Sequence, residues 1–324
     1  MLKPFVGIYN HGSSDAAVIK PLNSKGQKAI AISCGINPRY SIDPYHMALS
    51  AIDEAVRNAV AVGANPEELS LLDNFCWGNP NLPDRLGSLV KAAEGCLAGA
   101  LHYQVPFISG KDSLNNEYIS ASGERKAIPG TLLISAMAMV PDIEQVVTMD
   151  LKKAGNLLYI LGFSRDELGG SLLLETLKLK GGKVPSLSAQ ARERALALHQ
   201  VIAQGLVQSC HDLSEGGLAV AAAEMVIAGG VGLELQLANL PSEALSSLTK
   251  LFAESNTRWL LEVDPKHVEA LENHFKTSHV PHAQLGHVSE KAELNISHQD
   301  ENLIHLTWAE LDKAWRGHVL EVSA

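Results

Sequence analysis

Leu69-Ser70-Leu71-Leu72-Asp73-Asn74 and Pro106-Phe107-Ile108-Ser109-Gly110-Lys111-Asp112-Ser113 are apolar runs that end in polar residues, and a helical stretch over 85–103 lies between them. The pattern predicts strand, helix, strand, with the strands over 69–72 and 106–109. Each strand then delivers its polar residues to its end, where open α/β sheets place ligand groups. Upstream, residues 16–20 and 28–33 read as short strands. Asp43-Pro44 opens a helix, with Asp43 able to cap it and Pro44 suited to the first turn. That helix runs through Ala48, Ile52, Val56 and Val60, and Gly63 stops it. Residues 131–140 are near-continuously apolar, which predicts a strand covered on both faces.

Downstream, composition changes after Pro141-Asp142, and Lys152-Lys153-Ala154-Gly155-Asn156 reads as a turn. A boundary near 150 gives domains over 1–150 and 151–324. In the second domain, helices are expected near 188–204, 216–228, 242–253 and 265–276. Strands are expected over 157–161, 231–236, 258–263 and 302–307. Periodicity leaves the class open between α/β and α+β.

The bulk numbers narrow the function. The chain has 324 residues, 46% hydrophobic and 19% charged, a globular composition long enough for two cores. A net charge of −10 makes a nucleic-acid backbone a poor partner. None of the four cysteines stands at CxxC spacing, so they read as reduced thiols. No signal peptide is visible and no run approaches the ~20 apolar residues of a membrane span, so the expected location is the cytoplasm.

Four polar segments can carry chemistry. His11-Gly12-Ser13-Ser14-Asp15 is either a turn or a ligand loop in which Asp15 holds a divalent cation. Asp73 either coordinates magnesium, accepts from a nucleotide, or caps a turn. Gly110-Lys111-Asp112-Ser113 is no Walker motif, since Val105 stands where the first glycine belongs and Asp112 follows the lysine. It still sets a glycine, a cation, a carboxylate and a hydroxyl on successive positions, a mix that suits a phosphate with its metal ion. His211-Asp212-Leu213-Ser214-Glu215-Gly216-Gly217 precedes an Ala-rich helix. Asp212 or Ser214 can cap that helix, and its amino terminus is a candidate anion site. Asp166-Glu167-Leu168-Gly169-Gly170-Ser171 is a weaker loop of the same kind.

In order, HGSSDAAVI, IDEAVRNAVAVGANP, LLDNFCWGNP, PFISGKDSLNNEY, PGTLLISAMAMV, LGFSRDELGGS and HDLSEGGLAVAAAEM resemble the second half of the synthetase subunit of the phosphoribosylformylglycinamidine synthases. The resemblance covers about 5 to 317. It implies an aminoimidazole ribonucleotide synthetase-like unit: an amino-terminal α/β domain lending strands to a barrel shared with a partner unit, and a carboxy-terminal α+β domain. The implied reaction uses ATP, formylglycinamide ribonucleotide and glutamine-derived ammonia, with ATP activating the formamide oxygen as an iminophosphate. Implied cofactors are ATP or ADP and Mg2+. Carried over by motif, Asp73, Gly110 and Lys111 contact ATP, Ser113 contacts the ribonucleotide, and Asp112 and Asp15 are candidate metal ligands. Lys111 and Asn58 stand where smaller relatives carry metal-binding Asn and Asp, which implies a reduced metal role in this half.

The family's first half carries the catalytic histidine and the acidic metal ligands. No catalytic residue is therefore expected here, and the isolated chain is expected to be inactive. Implied partners are that first half, in the same or a separate chain, and a glutaminase as ammonia source. Alone, the apolar barrel face should pair with itself as a homodimer. The alternatives are a structural half holding an auxiliary nucleotide and a self-sufficient homodimeric enzyme of the superfamily. All these readings require the turns at 11–15, 73–80 and 110–117 to converge on one nucleotide.

Overall fold

A computed structural model describes residues 1–317. The first part of the chain contains β1 (Phe5–Val6), β2 (Gly12–Ser13), β3 (Ala17–Ile19), β4 (Ala29–Ile36), α1 (Pro44–Ala61), β5 (Leu69–Trp77), α2 (Pro83–Tyr103), β6 (Phe107–Leu114), β7 (Glu117–Ile119), β8 (Arg125–Ala127) and β9 (Thr131–Val140). Five of these strands form one sheet in the order β3-β4-β9-β5-β6. Its pairs are antiparallel except β5 with β6, which run parallel because α2 carries the chain back between them.

Local chemistry explains α1. Asp43 caps it by accepting from the His46 amide at 3.3 Å, and Pro44 follows in the first turn. Gly63 ends the segment with φ +102. The helix is apolar on nearly every side and is accordingly buried on nearly every side. One face meets the five-stranded sheet and the other meets the second part of the chain.

β9 departs from expectation. Its residues alternate, with Leu132, Ile134, Ala136, Ala138 and Val140 buried under the helices. The opposite face of the sheet is apolar but open. There Ile30 pairs with Met139, Ile32 with Met137 and Ile36 with Leu133. Ile32, Ile36 and Met137 are 46%, 40% and 43% exposed. Apolar character on both faces predicted two covers, but only one cover is present among the described residues.

The second part holds β10 (Leu157–Leu161), α3 (Leu172–Thr176), α4 (Ala191–Ala203), β11 (Ser209–Asp212), α5 (Gly217–Gly229), β12 (Gly232–Gln236), α6 (Ser247–Phe252), β13 (Trp259–Val263), α7 (Val268–Thr277), β14 (His282–Ser289), β15 (Glu293–His298), β16 (Glu301–Thr307) and α8 (Trp308–Gly317). Its sheet runs β11-β13-β10-β14-β12-β15-β16. A continuous core passes from α1 and α2 through α4 to Tyr159, Trp259 and Leu261 on one face of this sheet. A second core under α5 fills the other face. No described helix is long and apolar enough to cross a membrane.

Candidate functional site

The first group of candidate residues lies on the β5–β6 edge. Parallel pairing sets Asp73 beside Gly110, Asn74 beside Lys111, Phe75 beside Asp112 and Cys76 beside Ser113. A side chain at 110 would place its Cβ 2.4 Å from Asp73 Oδ1, so the glycine is what lets this carboxylate lie across the neighbouring strand. Burial and the nearby Asp112 carboxylate push the Asp73 carboxyl above its ordinary pKa.

Two expectations are corrected here. β5 and β6 extend to Trp77 and Leu114, so Asp73 and 110–113 are strand residues, not residues of loops beyond strand ends. Successive strand residues face opposite sides of a sheet. Asp73, Gly110 and Asp112 therefore share the helix-covered side with Leu71 and Phe75. Lys111 and Ser113 share the open side with Asn74 and Cys76. The sheet splits the mix of cation, carboxylate and hydroxyl that had read as one phosphate loop.

The second group lies between the two parts of the chain. Arg57 of α1 is buried. Its Nε and Nη2 donate to Asp212 Oδ2 at 3.2 and 3.0 Å, and its Nη1 pairs with Asp53. Asp53 also accepts from Tyr103 Oη at 2.5 Å and from the Thr257 amide at 2.9 Å. Asp15 accepts from the Asp212 amide at 3.0 Å and lies 2.8 Å from His211 Nδ1. The other ring nitrogen, His211 Nε2, lies 3.0 Å from Glu224. Ser214 Oγ is 3.1 Å from Glu54 and 3.2 Å from Asp212.

Electrostatics follow from this packing. Burial opposes charge on the His211 imidazole, but Asp15 and Glu224 outweigh it and hold the pKa well above the ordinary value. Both ring nitrogens therefore donate. Burial raises Asp212 against the pull of Arg57. Burial likewise pushes Glu54 up to about 7. Ligand atoms of Asp15, His211 and Asp212 all lie within 4.8 Å of one another, and Asp15 Oδ2 is buried with no hydrogen-bond partner. Two hard carboxylates with an orphaned oxygen fit a divalent cation such as Mg2+. His211 is the third member of the group, and its Nδ1 lies against Asp15.

Three further expectations change. The 11–15 turn does not join Asp73 and Gly110, so the expected convergence of the turns at 11–15, 73–80 and 110–117 on one nucleotide fails. It precedes β3, three strands away from β5, or about 14 Å at the usual spacing. Its Asp15 instead meets His211 and Asp212, and His11 lies 3.1 Å from Asp312 in α8. Neither Asp212 nor Ser214 caps α5, because Asp212 ends β11 and Gly216 with φ +78 takes the cap position. The amides expected to bind an anion are already engaged, with Gly216 donating to Glu254 at 2.8 Å and Gly217 to the Ser214 carbonyl. Asn58 donates to the Cys34 carbonyl at 3.0 Å. The sequence reading missed Arg57, Glu54 and Asp53. Their signal was present: three charges inside an otherwise apolar helix must each find a buried partner.

The AIR synthase related protein family matches twice, with its N-terminal domain over residues 13–133 and its C-terminal domain over 153–299. The chain belongs to this family. It is 34% identical over 307 residues to phosphoribosylformylglycinamidine synthase subunit PurL of Alkaliphilus metalliredigens, covering 94% of this chain and 40% of that protein. It is 32% identical to the Thermococcus sibiricus PurL, over 92% of this chain and 41% of that one. This family member thus spans about 40% of the length of those relatives. Among solved structures, Thermotoga maritima PurLQS superposes with a TM-score of 0.74 at 17% identity, over 94% of this chain and 47% of that one. The same organism's PurL complexed with ADP gives 0.73 at 18% identity, over 95% and 47%. HypE in the HypE-HypF complex gives 0.65 at 15% identity, over 92% and 94%. These structures establish the shared two-domain fold.

Proposed function

We propose that this chain supplies the second half of a phosphoribosylformylglycinamidine synthase, an ATP-dependent C–N ligase of purine biosynthesis. The observation that carries the reading is its 34% identity to PurL along 94% of the chain, confined to 40% of the relative. The bare β5–β6 edge and the uncovered apolar sheet face are what a half-unit would present to its other half. Asp73, Gly110 and Asp112 are the nucleotide-facing residues of that edge, and Ser113 with Lys111 faces the partner side. The first half-unit and a glutaminase complete the activity, the protein resides in the cytoplasm, and the domains divide near residue 150.

Asp15 and Asp212 would hold Mg2+, which would neutralise nucleotide phosphate charge. Arg57 fixes the Asp212 carboxylate, and His211 with the Asp212 amide fixes Asp15. A second reading, a structural half holding an auxiliary nucleotide, is favoured by the closure of this cluster on both sides by one chain.

Calorimetric titration of ATP with Mg2+ tests both. Under the first reading Asp73→Ala and Ser113→Ala weaken binding by at least about tenfold, and added first half-unit restores ammonia-dependent turnover. Under the second, Asp15→Asn and Asp212→Asn weaken it while Asp73→Ala does not. Absence of any ATP binding, with and without the first half-unit, would sink both.

A further inference from the structure

A groove of about 650 Å³ opens within the second part of the chain, and none of its lining comes from the first part. The lining is drawn from α3, α5, α8, β15 and β16, with Phe252 at the end of α6. A cavity of this size, mostly apolar with a few placed polar groups, has the make-up of a small-molecule site.

The sequence explains why the space stays open. Helix α5 is apolar on every side apart from one charged residue, Glu224. Its Leu218, Ala222 and Met225 fill the second core. Its Val220, Ala223 and Ile227 recur at helical spacing on another face and line the groove together with Glu224. Helix α8 lines the groove as well and is pinned at two points. Trp308 donates to the Ile227 carbonyl and Trp315 to the His11 carbonyl, each at 3.1 Å. Into the groove α5 presents Ala223 and α8 presents Ala314, side chains too short to fill it. Leu306 and Trp315 accordingly stay 37% and 45% exposed.

Charge decides what fits. Glu224 is the single ionisable residue of the lining. Its Oε2 lies 3.0 Å from His211 Nε2, while no described residue donates to its Oε1. His211 does not cancel this carboxylate, because the same imidazole also lies 2.8 Å from Asp15. One imidazolium shared between two carboxylates leaves a negative charge over. Arg57 does not supply the difference, since Asp53 and Asp212 already flank it. An unengaged carboxylate oxygen with residual negative charge therefore stands at an otherwise apolar surface.

We propose that this groove binds a small primary amine with an apolar body, as its ammonium ion. The ammonium donates to Glu224 Oε1, a charge-assisted hydrogen bond beside apolar walls. The body lies on Val220, Leu306 and Trp315. An anionic head group would face the Glu224 carboxylate, and a neutral one would leave the residual charge uncompensated.

Isothermal titration of the full chain with 4-phenylbutylamine, 4-phenylbutanol and 4-phenylbutyrate tests the assignment, since the three share a body and differ in head-group charge. Chelator is present throughout, so that no metal at Asp15 alters the charge balance. The amine should bind at least about tenfold tighter than the butyrate, with the alcohol between them. Glu224→Gln keeps an acceptor for His211 and removes the charge, and it should bring the amine to within about twofold of the alcohol. Ala314→Trp, at an exposed position of α8, fills the groove and should weaken all three at least about tenfold. Asp73→Ala should leave the amine unchanged, which separates the groove from the proposed ATP edge. Far-UV circular dichroism establishes which variants fold. No binding of the amine, equal affinity for the butyrate, or indifference of the amine to either folded groove variant would overturn the proposal.

Discussion

At the β5–β6 edge, Asp73 and Asp112 lie close enough to disturb one another, and among the described residues no cation pairs with either. Behind α1, Asp53 and Asp212 flank Arg57 and are enclosed by both parts of the chain. The same residue types serve opposite ends. The enclosed carboxylates have their partners within the chain and contribute to holding it together. The edge carboxylates have no cation partner among the described residues, so their chemistry depends on what arrives from outside.

The enclosed cluster should therefore respond to mutation as structure. Arg57→Ala leaves two buried carboxylates without their cation, which costs about 3–5 kcal/mol in comparable sites. Urea denaturation followed by far-UV circular dichroism measures it. A loss below about 1 kcal/mol would mean that water reaches Asp53 and Asp212, and the contrast between enclosed and open sites would fail.

Within that cluster, Glu54 gives a pH signature. Its folded pKa of about 7 lies above the ordinary 4.5, so the folded chain holds the proton more tightly between those values. The contribution is full below about 4.5 and is lost as pH rises through about 7. It amounts to about 3 kcal/mol. His211, also raised, adds a term of the same sign, present below 6.5 and lost at higher pH. Glu54→Gln should flatten stability between pH 5 and 7 and keep the decline above it. Parallel profiles for the two proteins would show that Glu54 is not buried as described.

The open sheet face sharpens the other side of the comparison. Ile32→Glu places a charge among Ile30, Met137 and Ile36 without touching the buried face of β4. If that face pairs with a second copy, the dimer should weaken at least about tenfold, read by light scattering across concentrations. A wild-type chain that is monomeric at micromolar concentration would remove the self-pairing.

The contrast also explains what was legible beforehand. α1, its Asp43 cap and its Gly63 stop were readable because each signal is local. The β5, α2 and β6 order was readable for the same reason. Strand lengths were not, since Asp73, Lys111 and Asp112 are polar residues within strands β5 and β6, and polarity was read as loop. The partnership of Asp15 with His211 and Asp212 links positions nearly 200 residues apart, and no local pattern encodes it. β11 was missed because Ser209-Cys210-His211-Asp212 carries no apolar alternation, although all four residues are buried. The buried pairing of Arg57 was inferable in kind but not in partner.

Gly110→Ala is the smallest and most discriminating change. Gly110 does not have a positive φ, so alanine fits the backbone and any effect must come from its Cβ. That atom would stand 2.4 Å from Asp73 Oδ1 and 2.8 Å from Oδ2, so the carboxylate must rotate away. Strand β6 is the sheet edge and its residue 110 is exposed, so stability should change by less than about 0.5 kcal/mol. If Asp73 and Gly110 meet nucleotide, ATP affinity should fall by about three- to tenfold while the melting temperature stays put. An unchanged affinity would mean that the nucleotide does not use this carboxylate as it lies across β6, and the open edge would then be an interface rather than a ligand site.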